Sequence, residues 1–197
     1  MRTLRPSGEW APSIPYTARA FRPYVAALGQ LTLAWNDLHL ALQMLFCTVM
    51  GGGFVSPYLA IWNAIKSDRT QRDVLSAAAA AKAMNGGSQR LADEIKWICD
   101  RADSLEEARN NALHSPLWGT QGSTPTQVGP VTGLGHIRAN KLAGKDLLSE
   151  FRWCRDGATT LCDYATTLDF AFCRGKPLPI RPTLPARRPT KRPRKNS

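Results

Sequence analysis

Patterned cysteine and histidine are what this chain most plainly lacks. Its five cysteines (Cys47, Cys99, Cys154, Cys162 and Cys173) form no CxxC pair, and its three histidines (His39, His114 and His136) lie far apart. No zinc spacing is present, an odd cysteine count argues against a disulfide framework, and no metal or cofactor is expected. Most of the cysteines fall in apolar helical segments, where a free thiol behaves as a small hydrophobe. They read as reduced thiols of a cytoplasmic protein. The opening stretch, MRTLRPSGEWAPSIP, has two arginines but no apolar run behind them, so it is not expected to be a signal peptide. The most hydrophobic window, Leu31 to Met50, is broken by Asn36, Asp37 and His39. It reads as a buried or partner-facing helix, and no membrane association is expected. GGGF at 51–54 lacks both the GK[ST] that follows and the strand that precedes a phosphate loop. There is no internal repeat and no alternation of strands with helices.

Acid is missing from one end. Nine of the 26 Lys and Arg lie in 174–197 with no Asp or Glu among them, leaving 17 basic groups against 15 acidic ones upstream. The body is close to neutral and the end of the chain carries the basicity. With six prolines in RGKPLPIRPTLPARRPTKRPRKNS, residues 174–197 read as a disordered or polyproline-like tail that grips polyanions by counterion release. The KRPRK within it also resembles a nuclear-import cluster, though a solvated tail is the plainer reading.

What is present is helical periodicity. Residues 1–15 read as an extended arm. From Pro23 onward Val25, Leu28, Leu31, Trp35, Leu38, Leu42, Leu45, Phe46 and Val49 recur at three- and four-residue steps until the glycines at 51–53 stop them. A short helix follows Pro57, another runs from Ser67-Asp68 to Asn85-Gly86-Gly87, and a long one spans Gln89 to Leu113, bounded by Pro116. Residues 116–143 hold eight glycines and prolines and read as a loop or small hairpin, after which a last helix spans Lys145 to Cys173. The expected fold is an all-α bundle of four to five helices, residues 16–173, with an irregular loop or small hairpin before the last helix.

One residue is out of place in that pattern. On the 89–113 helix, Leu91, Ile95, Ile98, Ala102, Leu105 and Ala112 make an apolar stripe, and Arg109 occupies the slot between the last two. A guanidinium on such a stripe must find an anionic or hydrogen-bonding partner. His114 lies four residues after Asn110 and shares its face while helical geometry persists. The helix dipole favours the protonated imidazole at that end. A fixed cation, an amide and a proton carrier at one helix end suit phosphate chemistry. The competing reading is structural: Arg109 bridges to Glu106 or to an acid on another helix, and His114 caps the helix.

Arg109-Asn110-Asn111-Ala112-Leu113-His114 resembles the ribonuclease motif of the HEPN (higher eukaryotes and prokaryotes nucleotide-binding) family: an Arg, a polar residue, and a His after four to six intervening residues. Here four intervene, and the position after Arg is Asn110. The resemblance covers roughly residues 18–173, by arrangement more than by identity. It implies a helical bundle that pairs as a homodimer, with Arg109 and His114 catalytic and Asn110 supporting them. It implies RNA as substrate, cut without metal, as by a bacterial toxin or anti-phage effector. Family members often work with an antitoxin or a fused regulatory domain, and neither is apparent in this sequence. Asp37 in WNDLH resembles an acidic residue that some members carry on the first helix; with His39 it also reads as an ordinary polar helix position. His136, in the irregular insertion, reads as a surface histidine or an RNA contact. Two alternatives stand beside the nuclease: a non-catalytic module of the same type binding nucleic acid or a partner, and a helical scaffold with a structural Arg109.

Overall fold

A computed structural model of the chain describes residues 18–52, 57–119, 128–132 and 135–187, together with the backbone of 2–4 and 10–12. The elements run β1 (Arg2–Leu4), β2 (Trp10–Pro12), α1 (Arg22–Val49), α2 (Tyr58–Ala64), α3 (Asp68–Met84), α4 (Gln89–His114), β3 (Leu117–Gly119), β4 (Val128–Pro130), α5 (Ile137–Leu142) and α6 (Leu147–Cys173). The protein is an all-α bundle with a hairpin before the last helix. Among the described residues the strands form two antiparallel pairs: β1 with β2, Arg2 opposite Pro12, and β3 with β4, Leu117 opposite Pro130. Among the described residues there are six helices, of which α5 has six residues, too few to show a period in sequence. The KRPRK cluster and residues 53–54 of GGGF lie outside the described residues.

The helix boundaries follow from local chemistry. Ser67 caps α3 by accepting from the backbone N–H of Thr70, and Ser88 caps α4 by accepting from that of Leu91. Asp146 caps α6, holding both the backbone N–H and the hydroxyl of Ser149, and these bonds keep its carboxyl below the usual carboxylate range. At the other ends a left-handed glycine turns the chain. Gly86 (φ +87°) lets Gly87 donate to the Lys82 carbonyl at 2.9 Å, the i to i−5 bond of a Schellman cap. A Cβ on Gly87 would meet that carbonyl oxygen at 2.7 Å, so no side chain fits there. Gly51 (φ +81°) ends α1 in the same way, with Gly52 donating to Cys47.

The chain divides into two compact units, and α1, α4 and α6 contribute residues to both. The first comprises Met1–Leu31, Glu107–Cys154 and Ala186–Ser197. Phe21, Leu31, Ala112, Leu142 and Phe151 are among its buried residues. The second comprises Thr32–Glu106 and Arg155–Pro185, with Trp35, Leu38, Leu42, Leu45, Leu75, Ile95, Ile98, Leu161 and Leu168 in its core. There Phe46 meets the Trp62 ring at 5.4 Å, and Gly157 on α6 leaves room for Leu105 on α4, whose Cδ1 lies 2.9 Å from where a Cβ would stand. The α1 stripe read from sequence is buried within the chain from Leu31 to Val49, whereas Val25 stays 54% exposed. The 174–197 segment, expected to be disordered or polyproline-like, is described as far as residue 187. Residues 176–187 have neither helix nor strand, yet Arg181 and Arg187 each reach a glutamate on a helix. A proline-rich segment satisfies few of its own backbone groups, so side chains with fixed partners hold it in place.

The least expected core residue is Arg72, 1% exposed among the helices of the second unit. Its Nε donates to Asp103 Oδ1 at 2.7 Å and its Nη2 to Glu106 Oε2 at 2.6 Å, both on α4. Its Nη1 meets His39 Nε2 on α1 at 3.3 Å, and its charge lies 5.8 Å from the Trp35 ring centre. Arginine can only donate, so His39 Nε2 accepts, and the imidazole proton sits on Nδ1, facing Gln71 Oε1 at 3.2 Å. Gln71 in turn donates from Nε2 to the carbonyls of Trp62 and Ile65. Removing the cation strands two carboxylates that retain 39% and 26% of their side-chain exposure. Water rehydrates them in part, so Arg72→Ala is expected to cost about 3 kcal/mol. That corresponds to a fall of roughly 6–12 °C in the melting temperature. A thermal unfolding curve unmoved by this substitution would show that the guanidinium is not a structural requirement.

Candidate functional site

Leu91, Ile95, Ile98, Ala102, Leu105 and Ala112 on α4 are all buried, as the periodicity requires. The end of the helix departs from that pattern. Arg109 and Asn110 are half-buried and His114 is exposed, with Pro116 two residues beyond the helix end. Arg109 Nη1 donates to Asn110 Oδ1 at 2.9 Å, which fixes the guanidinium against its neighbour. Glu106 is bonded to Arg72, and Glu107 pairs with Lys141 of α5, which holds the Glu107 carboxyl below the usual carboxylate range. The charge of Arg109 reaches Cys154 on α6. Burial pushes that thiol up to about 12, and Arg109 opposes the rise.

His114 opens onto a cleft of about 540 Å³ within the first unit. Phe21, Leu28 and Leu117 give it an apolar wall, while Tyr24, His114 and His136 supply polar groups. Partial burial, with the negative Asp146 nearby, raises the Tyr24 pKa and keeps the phenol protonated as a donor. Two imidazoles and a phenol beside an apolar surface can bind an aromatic ring and exchange protons with groups attached to it. Among the described residues Arg109 does not line this cleft. It stands five residues before His114, about 140° around the helix at 100° per residue, whereas Asn110 is about 40° from it.

The chain matches no family model, curated protein or solved structure. The site is therefore read from its own groups.

Of the sequence candidates, the structure joins Arg109 to Asn110 and places His114 with His136 in one cleft. His39, read as an ordinary polar position, belongs to the Arg72 network, while Asp37 is exposed on α1. Among the described residues there is no group of three or more metal-ligating side chains, and no helix long and apolar enough to cross a membrane. Arg72 escaped the sequence reading, although its signal was available. It lies three and seven residues before Leu75 and Ala79, on the stripe of α3 that is buried. Also missed were Tyr24 and Ser115, whose approach to the cleft depends on the turn after α4.

Ser115 Oγ is buried with no hydrogen-bond partner among the described residues. Losing an unsatisfied hydroxyl relieves desolvation and breaks no bond. Ser115→Ala is expected to leave the unfolding free energy unchanged or slightly raised. A loss above about 1 kcal/mol in urea titration, the worth of a typical hydrogen bond, would show that the hydroxyl is bonded in solution.

Proposed function

We propose that the chain is a metal-independent endoribonuclease of the HEPN type, in which His114 moves the proton and Arg109 stabilises the phosphate charge. The supporting observation is the end of α4, where His114 stands exposed at a roomy cleft and Asn110 holds the Arg109 guanidinium by a 2.9 Å bond. In this reading His114 takes the proton of a ribose 2′-hydroxyl as that oxygen attacks phosphorus. As the phosphorus–O5′ bond breaks, the imidazolium so formed returns its proton to the leaving O5′, directly or through water, giving a 2′,3′-cyclic phosphate and a 5′-hydroxyl end. Arg109 offers forked donors to the oxygens on which charge grows, and Asn110 orients it.

The angular separation of Arg109 and His114 on one helix favours a working site assembled from two copies, as a homodimer. Leu33 and Leu40, seven residues apart on α1, remain 65% and 52% exposed, an apolar surface suited to such pairing. Sedimentation at tens of micromolar is expected to show a dimer, and a monomer throughout that range would remove this part of the reading.

The deciding experiment uses structured RNA in the presence of EDTA. Wild-type protein is expected to leave cyclic phosphate ends, and His114→Ala to slow cleavage by about 10²–10⁴-fold, the range for a lost general acid or base. Arg109→Ala should be similarly impaired with an unchanged melting temperature. Arg109→Lys should recover little, because an ammonium cannot reproduce the fork. The half-buried position of Arg109 supports a second reading, a helical scaffold. A wild-type chain that never cuts RNA, together with a destabilised Arg109→Ala, would establish that scaffold role instead.

A further inference from the structure

Two stretches of the body repeat one four-residue pattern: Glu94-Ile95-Lys96-Trp97 on α4 and Glu150-Phe151-Arg152-Trp153 on α6. Three residues of helix bring the glutamate and tryptophan of each onto neighbouring positions of one face. Ile95 and Phe151, at the second position of each pattern, are buried and pin that face in place.

Each pattern holds an arginine of the C-terminal segment. In the second unit Arg181 Nε donates to Glu94 Oε2 at 2.7 Å, and its charge lies 5.5 Å from the Trp97 ring centre. Tyr164 completes that clamp: its ring meets Trp97 edge-on at 5.5 Å, its hydroxyl donates to Glu94 Oε2 at 2.9 Å, and it lies 3.3 Å from the Pro179 carbonyl. Burial and the neighbouring Glu94 push the Tyr164 phenol up to about 12, so it remains a donor. In the first unit Arg187 donates from Nε to Glu150 Oε1 at 3.0 Å and from Nη2 to Oε2 at 2.5 Å, with Trp153 at 5.0 Å.

The two partners of each clamp are unequal. The glutamates keep only 12% and 11% of their side-chain exposure, while the arginines that fill them keep 44% and 47%. The receptor half is built into the helices, its carboxylates covered by the arginines that bond them, with Lys145 Nζ a second cation 3.7 Å from Glu150 Oε2; the ligand half lies on the surface. Carboxylate beside indole selects guanidinium over ammonium, because only the planar fork bonds and stacks at once. The ligand segment is stiffened by Pro177, Pro179, Pro182 and Pro185 and starts just past Gly175, whose φ of +60° turns the chain out of α6. Such a segment loses little entropy on docking, and without a strand ladder it is held mainly through its arginines.

We propose that the two Glu-x-x-Trp clamps are arginine-reading sites for an extended proline-rich polypeptide, that residues 176–187 are a reversibly held ligand, and that the same segment of a second copy binds them in trans. This inference stands apart from the nuclease reading. The test is complementation between two full-length variants. Arg181→Ala/Arg187→Ala keeps both clamps but loses the ligand, and Glu94→Gln/Glu150→Gln keeps the ligand but weakens the clamps. Mixing them is expected to give a saturable change in tryptophan fluorescence and a heavier species in sedimentation, neither of which each variant shows alone. A synthetic peptide of residues 176–187 should compete, and its Arg-to-Lys form should bind at least about tenfold more weakly. A mixture that sediments as the sum of its parts, or a lysine peptide that competes equally well, overturns the proposal. If either variant fails to fold, the wild-type chain with excess peptide decides. Faster tryptic cleavage after Arg187, whose next residue is Arg188, supports exchange, and an unchanged rate overturns it.

Discussion

A buried guanidinium is the constraint around which the second unit is arranged. Arg72 on α3 ties α3 to α1 through His39 and to α4 through Asp103 and Glu106, and nothing apolar could make those bonds. Its presence imposes conditions on its neighbours. The two α4 acids stand one turn apart on the same face, His39 turns Nε2 toward the guanidinium, and Gln71 points its carbonyl oxygen at Nδ1. Trp35 packs beside the cation and donates from Nε1 to Asp68 at 2.9 Å in the first turn of α3. A hydrophobic residue at position 72 would satisfy the core but release every one of these orientations. The network sets register among three helices, a role to which buried ionic groups are suited.

The same chemistry accounts for the different fates of two arginines. Arg72 and Arg109 both interrupt apolar stripes, but Arg72 lies mid-helix with acids converging on it. Arg109 lies five residues before the end of α4, where the core is thinning. There it is half-buried and bonded to the adjacent Asn110. The end of α4 also releases His114 into a cleft shared with Tyr24 and His136, groups from α1 and from the chain just before α5. Arg72 in mid-helix is held within the core, while His114 at the helix end lines a cleft.

The C-terminal segment shows how a basic, proline-rich stretch acquires a place. Its charge alone would leave it in solvent. Arg181 and Arg187 are held because the body presents nearly buried carboxylates next to indole rings, and a desolvated carboxylate is costly without a cation.

Periodicity in the sequence determined the main helices and their buried faces, because a helix repeats every 3.6 residues and its caps are local. The ends of α1, α3 and α4 near the glycines at 51 and 86, Ser67, Ser88 and Pro116 follow from bonds within six residues. The glycines and prolines of 116–143 likewise marked a loop or small hairpin. The candidate residues Arg109, Asn110 and His114 could be named from the stripe they break and the motif they resemble. Tertiary structure alone decided which misfit was buried: Arg72 and its acids are 31 and 34 residues apart, and no local pattern encodes that meeting. It alone placed His136 and Tyr24 beside His114, and laid Arg181 against a glutamate 87 residues away. Contacts of that span depend on how helices pack, and packing is settled by the summed fit of many side chains.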